Sequence, residues 1–246
     1  MRLQVWIAKA GIASRRAAEQ IIREGRIAVN GVTVTAMGAK VTPDDHVTCD
    51  GRPVKPLSSL TYLAVHKPVG VLCTQKDDRN RPKVIDLLPE PLRPGIFHVG
   101  RLDFMSSGLI FYTNDGDFGH IVMHPSTEIE KEYRLETETA LFDQQLSEYC
   151  QGIPLDGDVV RLKSFTRESP IRVRLTLTQG KNREIRRACA YFNVKIRRLC
   201  RIRIGCVKLN GISPGRFRHL TEDEVAWFLG DEARGSAGAD TSFPDY

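Results

Sequence analysis

The dipeptide Asn30-Gly31 lies between two short apolar runs, Ile27-Ala28-Val29 and Val32-Thr33-Val34. A two-residue hairpin loop needs positive φ at both central positions, and Asn-Gly supplies it at least cost, so the chain must turn back here as paired antiparallel strands. Just upstream, Ser14 is a good N-cap for Arg15 to Glu24, where Ala18, Ile21 and Ile22 share a helical face and Gly25 is a natural stop. A helix followed by a hairpin is therefore predicted. With the apolar residues packed inward, Arg2, Lys9, Arg15, Arg16, Arg23 and Arg26 are free to present one basic surface.

Prolines and serines in Pro53-Val54-Lys55-Pro56-Leu57-Ser58-Ser59 interrupt both periodicities. This places a linker at 56–61 between a domain at 1–55 and a larger one at 62–230. Strand-like runs in the larger part are Leu63 to Val65, Val69 to Leu72, Leu109 to Thr113, Tyr133 to Thr137, Arg172 to Thr178 and Val194 to Ile204. Helical candidates are Asp117 to Met123, Phe142 to Cys150, Arg183 to Tyr191 and Glu222 to Phe228. Strands in succession without regular βαβ alternation predict an α+β fold with a mixed, mostly antiparallel sheet flanked by helices. The small polar residues 231–246 are expected to be disordered.

Charge is unevenly distributed. The net charge is +6, yet Ile171 to Arg218 contains 14 Lys or Arg against the single acid Glu184. Such a segment suggests an electrostatic footprint for phosphates, and RNA is the expected partner. No apolar run is long enough to span a bilayer, and Met1 to Trp6 runs into a patterned helix without an export segment, so no membrane partner and a cytoplasmic location are expected. The six cysteines form no Cys-x-x-Cys pair, which argues against a zinc site or a disulfide framework. Asp44-Asp45, Asp77-Asp78 and Asp115 with Asp117 are ordinary turn acids rather than a Mg²⁺ site, and there is no Walker loop or dinucleotide fingerprint. Neither a metal nor any other cofactor is expected.

Asp103 lies in Gly100-Arg101-Leu102-Asp103-Phe104-Met105-Ser106-Ser107-Gly108-Leu109, a Gly-bounded loop leading into a strand-like run. A carboxylate there is placed to project into a cleft, although alone it would pass for a turn aspartate.

Two sets of residues resemble known families. Ala10 to Glu19 together with Ile22 to Gly31 is similar to the S-four-type RNA-binding domain. That resemblance implies RNA docking by Arg15, Arg16, Arg23 and Arg26. Four blocks resemble, in order, the RsuA-type pseudouridine synthases of ribosomal RNA: His66 to Val71, Gly100 to Asp103 with Ser107 to Leu109, Lys131-Glu132-Tyr133, and Gly180 to Arg187.

The second resemblance implies the pseudouridine synthase fold and isomerisation of a ribosomal RNA uridine by a monomeric enzyme that flips the base into its cleft. It gives Asp103 the part of catalytic carboxylate, as nucleophile or as base for a ribose proton, and either role needs the ionised form. Arg186 would be its charge partner, Tyr133 would stack on the uracil, and Ile185 would pack on the base. Arg101 would help fill the space the base vacates, while Lys181, Arg183 and Arg187 would bind phosphates. Lys67, Pro68 and Gly70 would shape a loop beside the cleft.

Family members commonly carry a threonine three residues after the aspartate with polar residues between; here Ser106 keeps the hydroxyl, and Phe104-Met105 brings apolar bulk. Met123 to Ser126 with Glu130 to Tyr133 is more similar to the large-subunit branch. The alternative from another class is an RNA-binding ribosome assembly factor with a vestigial site. The joint presence of Asp103, Tyr133 and Arg186 speaks against it.

Overall fold

Chain reversal at Asn30-Gly31 takes place as a two-residue turn, with φ of 52° and 81° at the two positions. In the computed structural model, which describes residues 1–230, helices α1 (Leu3–Lys9) and α2 (Arg15–Arg23) precede strands β1 (Ile27–Val29) and β2 (Val32–Thr33). The expectation for 231–246 lies outside the described residues. Ser14 caps α2 by accepting the Ala17 N–H at 3.2 Å, and Gly25 follows the helix with φ 71°. With β3 (Val47–Cys49) and β4 (Arg52–Pro53), the hairpin forms a sheet of order β2-β1-β3-β4. Leu3, Trp6, Ile7, Ala18, Ile22 and Ile27 form its buried core, and the Trp6 indole N–H donates to the Val54 carbonyl at 2.9 Å.

The rest of the described chain builds a nine-stranded sheet flanked by helices. Its elements begin with β5 (Tyr62–Lys67), β6 (Phe97–Val99), β7 (Ser107–Thr113), α3 (Gly116–Met123) and β8 (Lys131–Thr137). After α4 (Asp143–Gln151) come the small hairpin β9 (Ile153–Leu155) and β10 (Asp158–Val160), then β11 (Ser164–Ser169) and β12 (Arg172–Leu177). The chain continues through α5 (Glu184–Tyr191), β13 (Ile196–Ile204), β14 (Val207–Lys208), β15 (Phe217–His219) and α6 (Glu222–Leu229). The sheet order is β11-β12-β8-β13-β7-β5-β15, with β14 on β13 and β6 on β7. Among the described residues, β7 with β13 is the one parallel pairing between strands, so the sheet is mostly antiparallel.

Core placement follows strand alternation. In β7, Leu109 and Phe111 pack with Phe118 of α3 and Phe228 of α6, while Ile110 and Tyr112 pack with Val84, Ile85 and Leu88 on the other face. Both faces of that strand are buried. The other half of the sheet buries one face, where Leu135, Val173 and Leu175 meet Leu146 of α4 and Ile185 of α5.

Its opposite face is covered by ion pairs. Arg134 and Arg174 meet Glu168, Arg203 bridges Glu130 and Glu132, and Arg172 and Arg197 share Glu136. This corrects the view of 171–218 as one free basic footprint: acids on β8 and β11 neutralise much of it, and such exposed pairs add about 0–1 kcal/mol each. A second correction concerns Val69 to Leu72, which is a turn rather than a strand. Pro68 lacks the N–H that a ladder needs, Gly70 takes φ 80°, and Leu72 makes an isolated bridge to Lys83.

At the parallel junction Ser107 lies opposite Cys200 and Gly108 opposite Arg201. Gly108 has φ 116°, and a Cβ there would lie 2.2 Å from the Arg201 carbonyl oxygen and 2.4 Å from its nitrogen. Backbone has no room to yield there. Gly108→Ala is expected to destabilise the protein by at least about 2 kcal/mol in urea unfolding; an unchanged midpoint would contradict this.

Candidate active site

The loop from Asp103 to Ser106 enters β7 directly and is clamped from two sides. On one side, fully buried Lys67 at the end of β5 donates from Nζ to the carbonyls of Pro68 at 2.9 Å, Phe104 at 3.4 Å and Ser106 at 2.6 Å. The Gly70 N–H also donates to the Phe104 carbonyl, at 2.9 Å. Burial pulls the Lys67 pKa below the usual lysine value, and this ring of carbonyls is what the ammonium has in place of water.

From the other side, Arg186 on α5 donates from Nη2 to the Met105 carbonyl at 2.8 Å and to Ser106 Oγ at 2.9 Å. Its Nε lies 3.3 Å from Asp103 Oδ2, an ion pair in which both side chains are largely buried. Oδ2 thus faces Arg186, and among the described residues neither carboxylate oxygen of Asp103 accepts a hydrogen bond. Ser106 is 2% exposed, so its hydroxyl is committed to the clamp.

The start of α5 is itself braced. Arg183 takes a left-handed conformation at the N-cap, and buried Glu184 accepts the Lys181 N–H at 3.1 Å and the Tyr149 hydroxyl at 3.3 Å. Burial raises the Glu184 pKa above the usual carboxylate range.

Asp103, Arg186 and Tyr133 line one cleft of about 970 Å³, together with Arg101, Ile185, Lys181 and Arg183. Lys181 also pairs with Asp158 at 3.2 Å, and Arg101 is exposed; Phe104 and Met105, exposed as well, lie outside the lining. Arg187 lies outside the lining and pairs with Asp156 at 2.8 Å. The four N-terminal arginines are exposed and belong to the smaller sheet's unit. Arg26 is gripped by Asp50 at 2.6 Å, Arg23 lies 3.8 Å from Glu19, and Arg15 reaches the start of α3 at Gly116.

Two cations of the cleft were not among the sequence candidates. Lys131 donates from Nζ to the carbonyls of Ile129 at 3.0 Å and Thr178 at 3.3 Å, and burial, with Arg201 nearby, lowers its pKa to about 8. Arg201 of β13 is 4% exposed, donates from Nε to the Leu109 carbonyl at 2.7 Å, and places Nη1 3.4 Å from the Tyr133 hydroxyl. Period-2 alternation along Ile196–Ile204 was the available signal. Lys and Arg on such a face read as solvated charge. Among the described residues no group of three or more His, Cys, Asp or Glu side chains is arranged to hold a metal ion.

A clamped carboxylate beside a guanidinium and a tyrosine can serve as a base or as a nucleophile. Comparison with known proteins identifies the family. Residues 61–191 match the model of the RNA pseudouridylate synthases, and residues 1–47 match that of the S4 domain. The chain belongs to the RNA pseudouridylate synthase family.

An uncharacterised RNA pseudouridine synthase of Mycobacterium leprae is 41% identical across 92% of this synthase and 91% of its own length. The dual-specificity RNA pseudouridine synthase RluF of Escherichia coli K12 is 36% identical across 92% of this chain and 77% of its own. A crystal structure of a pseudouridylate synthase shares the fold with a TM-score of 0.69 at 24% identity, covering 93% of this chain and 99% of that one. No helix of the described synthase is long and apolar enough to cross a membrane.

Lys67→Met would leave the loop carbonyls without their donor and is expected to cost about 3 kcal/mol, read by urea unfolding together with loss of activity. Lys131 gives a pH signature. Its folded pKa of about 8 lies below the ordinary 10.5, so between those values the unfolded chain holds a proton the folded one has shed. Stability is therefore expected to gain a rising component from about pH 8 to 10.5, absent in Lys131→Met.

Proposed function

We propose that this synthase converts a specific uridine of ribosomal RNA to pseudouridine, with Asp103 as the catalytic carboxylate and no metal or redox cofactor. The ion pair of Asp103 with Arg186, inside a cleft shared with Tyr133, is the observation that carries this proposal. The target base leaves its stack and enters the cleft, since its C1′ cannot be reached within folded RNA. Tyr133 then stacks on the uracil and Ile185 packs against it. Asp103 either attacks C1′ or removes the C2′ proton, the C1′–N1 bond breaks, and the base turns and rejoins through C5. Arg101 at the rim fills part of the vacated space, and Lys181, Arg183 and Arg187 meet phosphates around the mouth.

Residues 1–55 dock the RNA as a separate domain, joined through 56–61 to a catalytic domain of 62–230. Arg15, Arg16 and Arg23 carry that docking. Arg26, held by Asp50, braces the sheet and contributes less. The synthase acts as a monomer. Large-subunit RNA is the favoured substrate, supported by the similarity of Met123 to Ser126 and Glu130 to Tyr133 to that branch.

Primer extension on carbodiimide-treated ribosomal RNA, from cells with and without the gene and after treatment with purified protein, tests the proposal. One stop is expected to vanish on deletion and return with the wild-type protein. Asp103→Ala is expected to lose at least about 10³-fold in rate while its RNA Kd stays within about 3-fold. Identical stops in every sample, or full complementation by Asp103→Asn, would overturn the proposal in favour of an assembly factor.

A further inference from the structure

Most cations of the large sheet have carboxylate partners, but Arg201 has none among the described residues. It is nevertheless 4% exposed and lines the cleft. Nε is satisfied by the Leu109 carbonyl and Nη1 reaches the Tyr133 hydroxyl, while Nη2 is buried without a hydrogen-bond partner. The guanidinium carbon lies 5.9 Å from the centroid of the Tyr133 ring. A desolvated charge of this kind is costly unless an anion compensates it. Lys67 and Lys131 do not share the anomaly, because backbone carbonyls surround their ammonium groups. Asp103 is engaged by Arg186. The missing anion must therefore come with the substrate, either from the start as a phosphate or during the reaction.

Uridine itself is neutral in the ground state. When C1′–N1 breaks, its electron pair leaves on N1 and spreads over the two carbonyl oxygens of a uracil anion. C1′ is compensated by a bond to the Asp103 oxygen, or by the pair freed when Asp103 takes the C2′ proton. The base loses its negative charge when C5 bonds to C1′, as the C1′–oxygen bond to Asp103 breaks or as Asp103 returns its proton to C2′; the C5 proton is then lost and N1 gains one. An anion thus exists only between bond breaking and rejoining, beside the ring of Tyr133.

We propose that Arg201 is a positioning residue that stabilises this departing uracil anion, through its charge and through the Tyr133 hydroxyl. Accepting from Nη1, that hydroxyl keeps its own proton free to point at a base oxygen, as a preorganised donor should. Gly108 fixes the apparatus in place, because the close approach of its backbone holds Arg201 against the strand that Asp103 leads into. The inference rests on the proposed uridine isomerisation, and the wild-type rate on RNA tests that separately.

Leaving-group dependence distinguishes this role from a structural one. Fluorine at C5 stabilises the uracil anion without changing the ribose, so an enzyme lacking its anion-stabilising group should suffer less on 5-fluorouridine. Single-turnover consumption of the N1-linked nucleoside would be followed by chromatography after nuclease digestion, on one RNA carrying uridine or 5-fluorouridine at the target. Arg201→Met is expected to slow the uridine reaction about 100-fold, with RNA Kd within about 3-fold of wild type, and to slow the 5-fluorouridine reaction by less than about 10-fold.

Arg201→Lys and Tyr133→Phe are expected to show smaller losses with the same bias between substrates, and they decide the matter should Arg201→Met fail to fold. Equal slowing on both substrates in these variants would overturn the proposal, as would weaker RNA binding with an unchanged saturated rate, the mark of a phosphate contact. An inactive wild type would instead refute the isomerase assignment on which the inference rests.

Discussion

Two halves of the large sheet meet at a single short contact, Ser107-Gly108 beside Cys200-Arg201. On one side lie β5, β7 and β15; on the other lie β8, β12 and β11. The contact is parallel and takes in only the first two residues of β7, so β7 parts from β13 after Gly108, and the polypeptide just before Ser107 lies outside the sheet. That free polypeptide is the Asp103 loop. The cleft lies beside this short contact, lined by Asp103 of the loop and Arg201 of β13, and Gly108 is the residue whose missing side chain lets the halves join at all. Without that approach, β7 would not present Asp103 to α5 beside Arg201, which meets Tyr133 across the separate ladder of β13 with β8.

Charge is organised around the same junction. Lys131, Arg186 and Arg201 line the cleft with Asp103, Lys67 holds the loop beside it, and burial lowers the pKa of both lysines. Two of these cations are absorbed by backbone carbonyls and one by Asp103, so each sets geometry rather than field. Outside the cleft the pattern reverses. Arginines on the open face of β8, β12 and β13 meet glutamates one for one or in shared pairs, giving a face that is charged yet nearly neutral. Among the described residues, positive charge without an acidic partner is thus found around the cleft and on the small N-terminal unit.

Elements with strong local signals were legible in the sequence. Asn30-Gly31, the Ser14 cap and the buried run of β7 each carry their own physical reason for forming. β11 escaped because it has no buried residue: it lies at the sheet edge, alternates between exposed and half-buried positions, and therefore lacks an apolar period. Val69 to Leu72 misled in the opposite direction, with strand composition but a proline at its head and a glycine at positive φ. At the site, the pairing of Arg186 with Asp103 could be anticipated from motif order. The role of Arg201 could not. Burial of an arginine depends on a crossing between strands far apart in the chain, and alternation within β13 does not reveal which face the other half of the sheet will cover.

Phe104 and Met105 show how backbone anchoring and side-chain identity are separated within four residues. Every backbone carbonyl from Asp103 to Ser106 accepts a hydrogen bond from Lys67, Gly70, Arg186 or the loop itself. The polar groups of the loop thus face the protein. The side chains of Phe104 and Met105, 42% and 57% exposed, are turned to the outside and hold none of those contacts. Residue identity at these two positions is consequently unconstrained by the clamp, whereas Ser106, whose hydroxyl receives Arg186, is constrained by it. A departure from the polar pattern is tolerated at 104 and 105 because backbone atoms, common to all residues, do the holding. What varies there is turned to the outside and leaves the position of the Asp103 carboxylate unchanged.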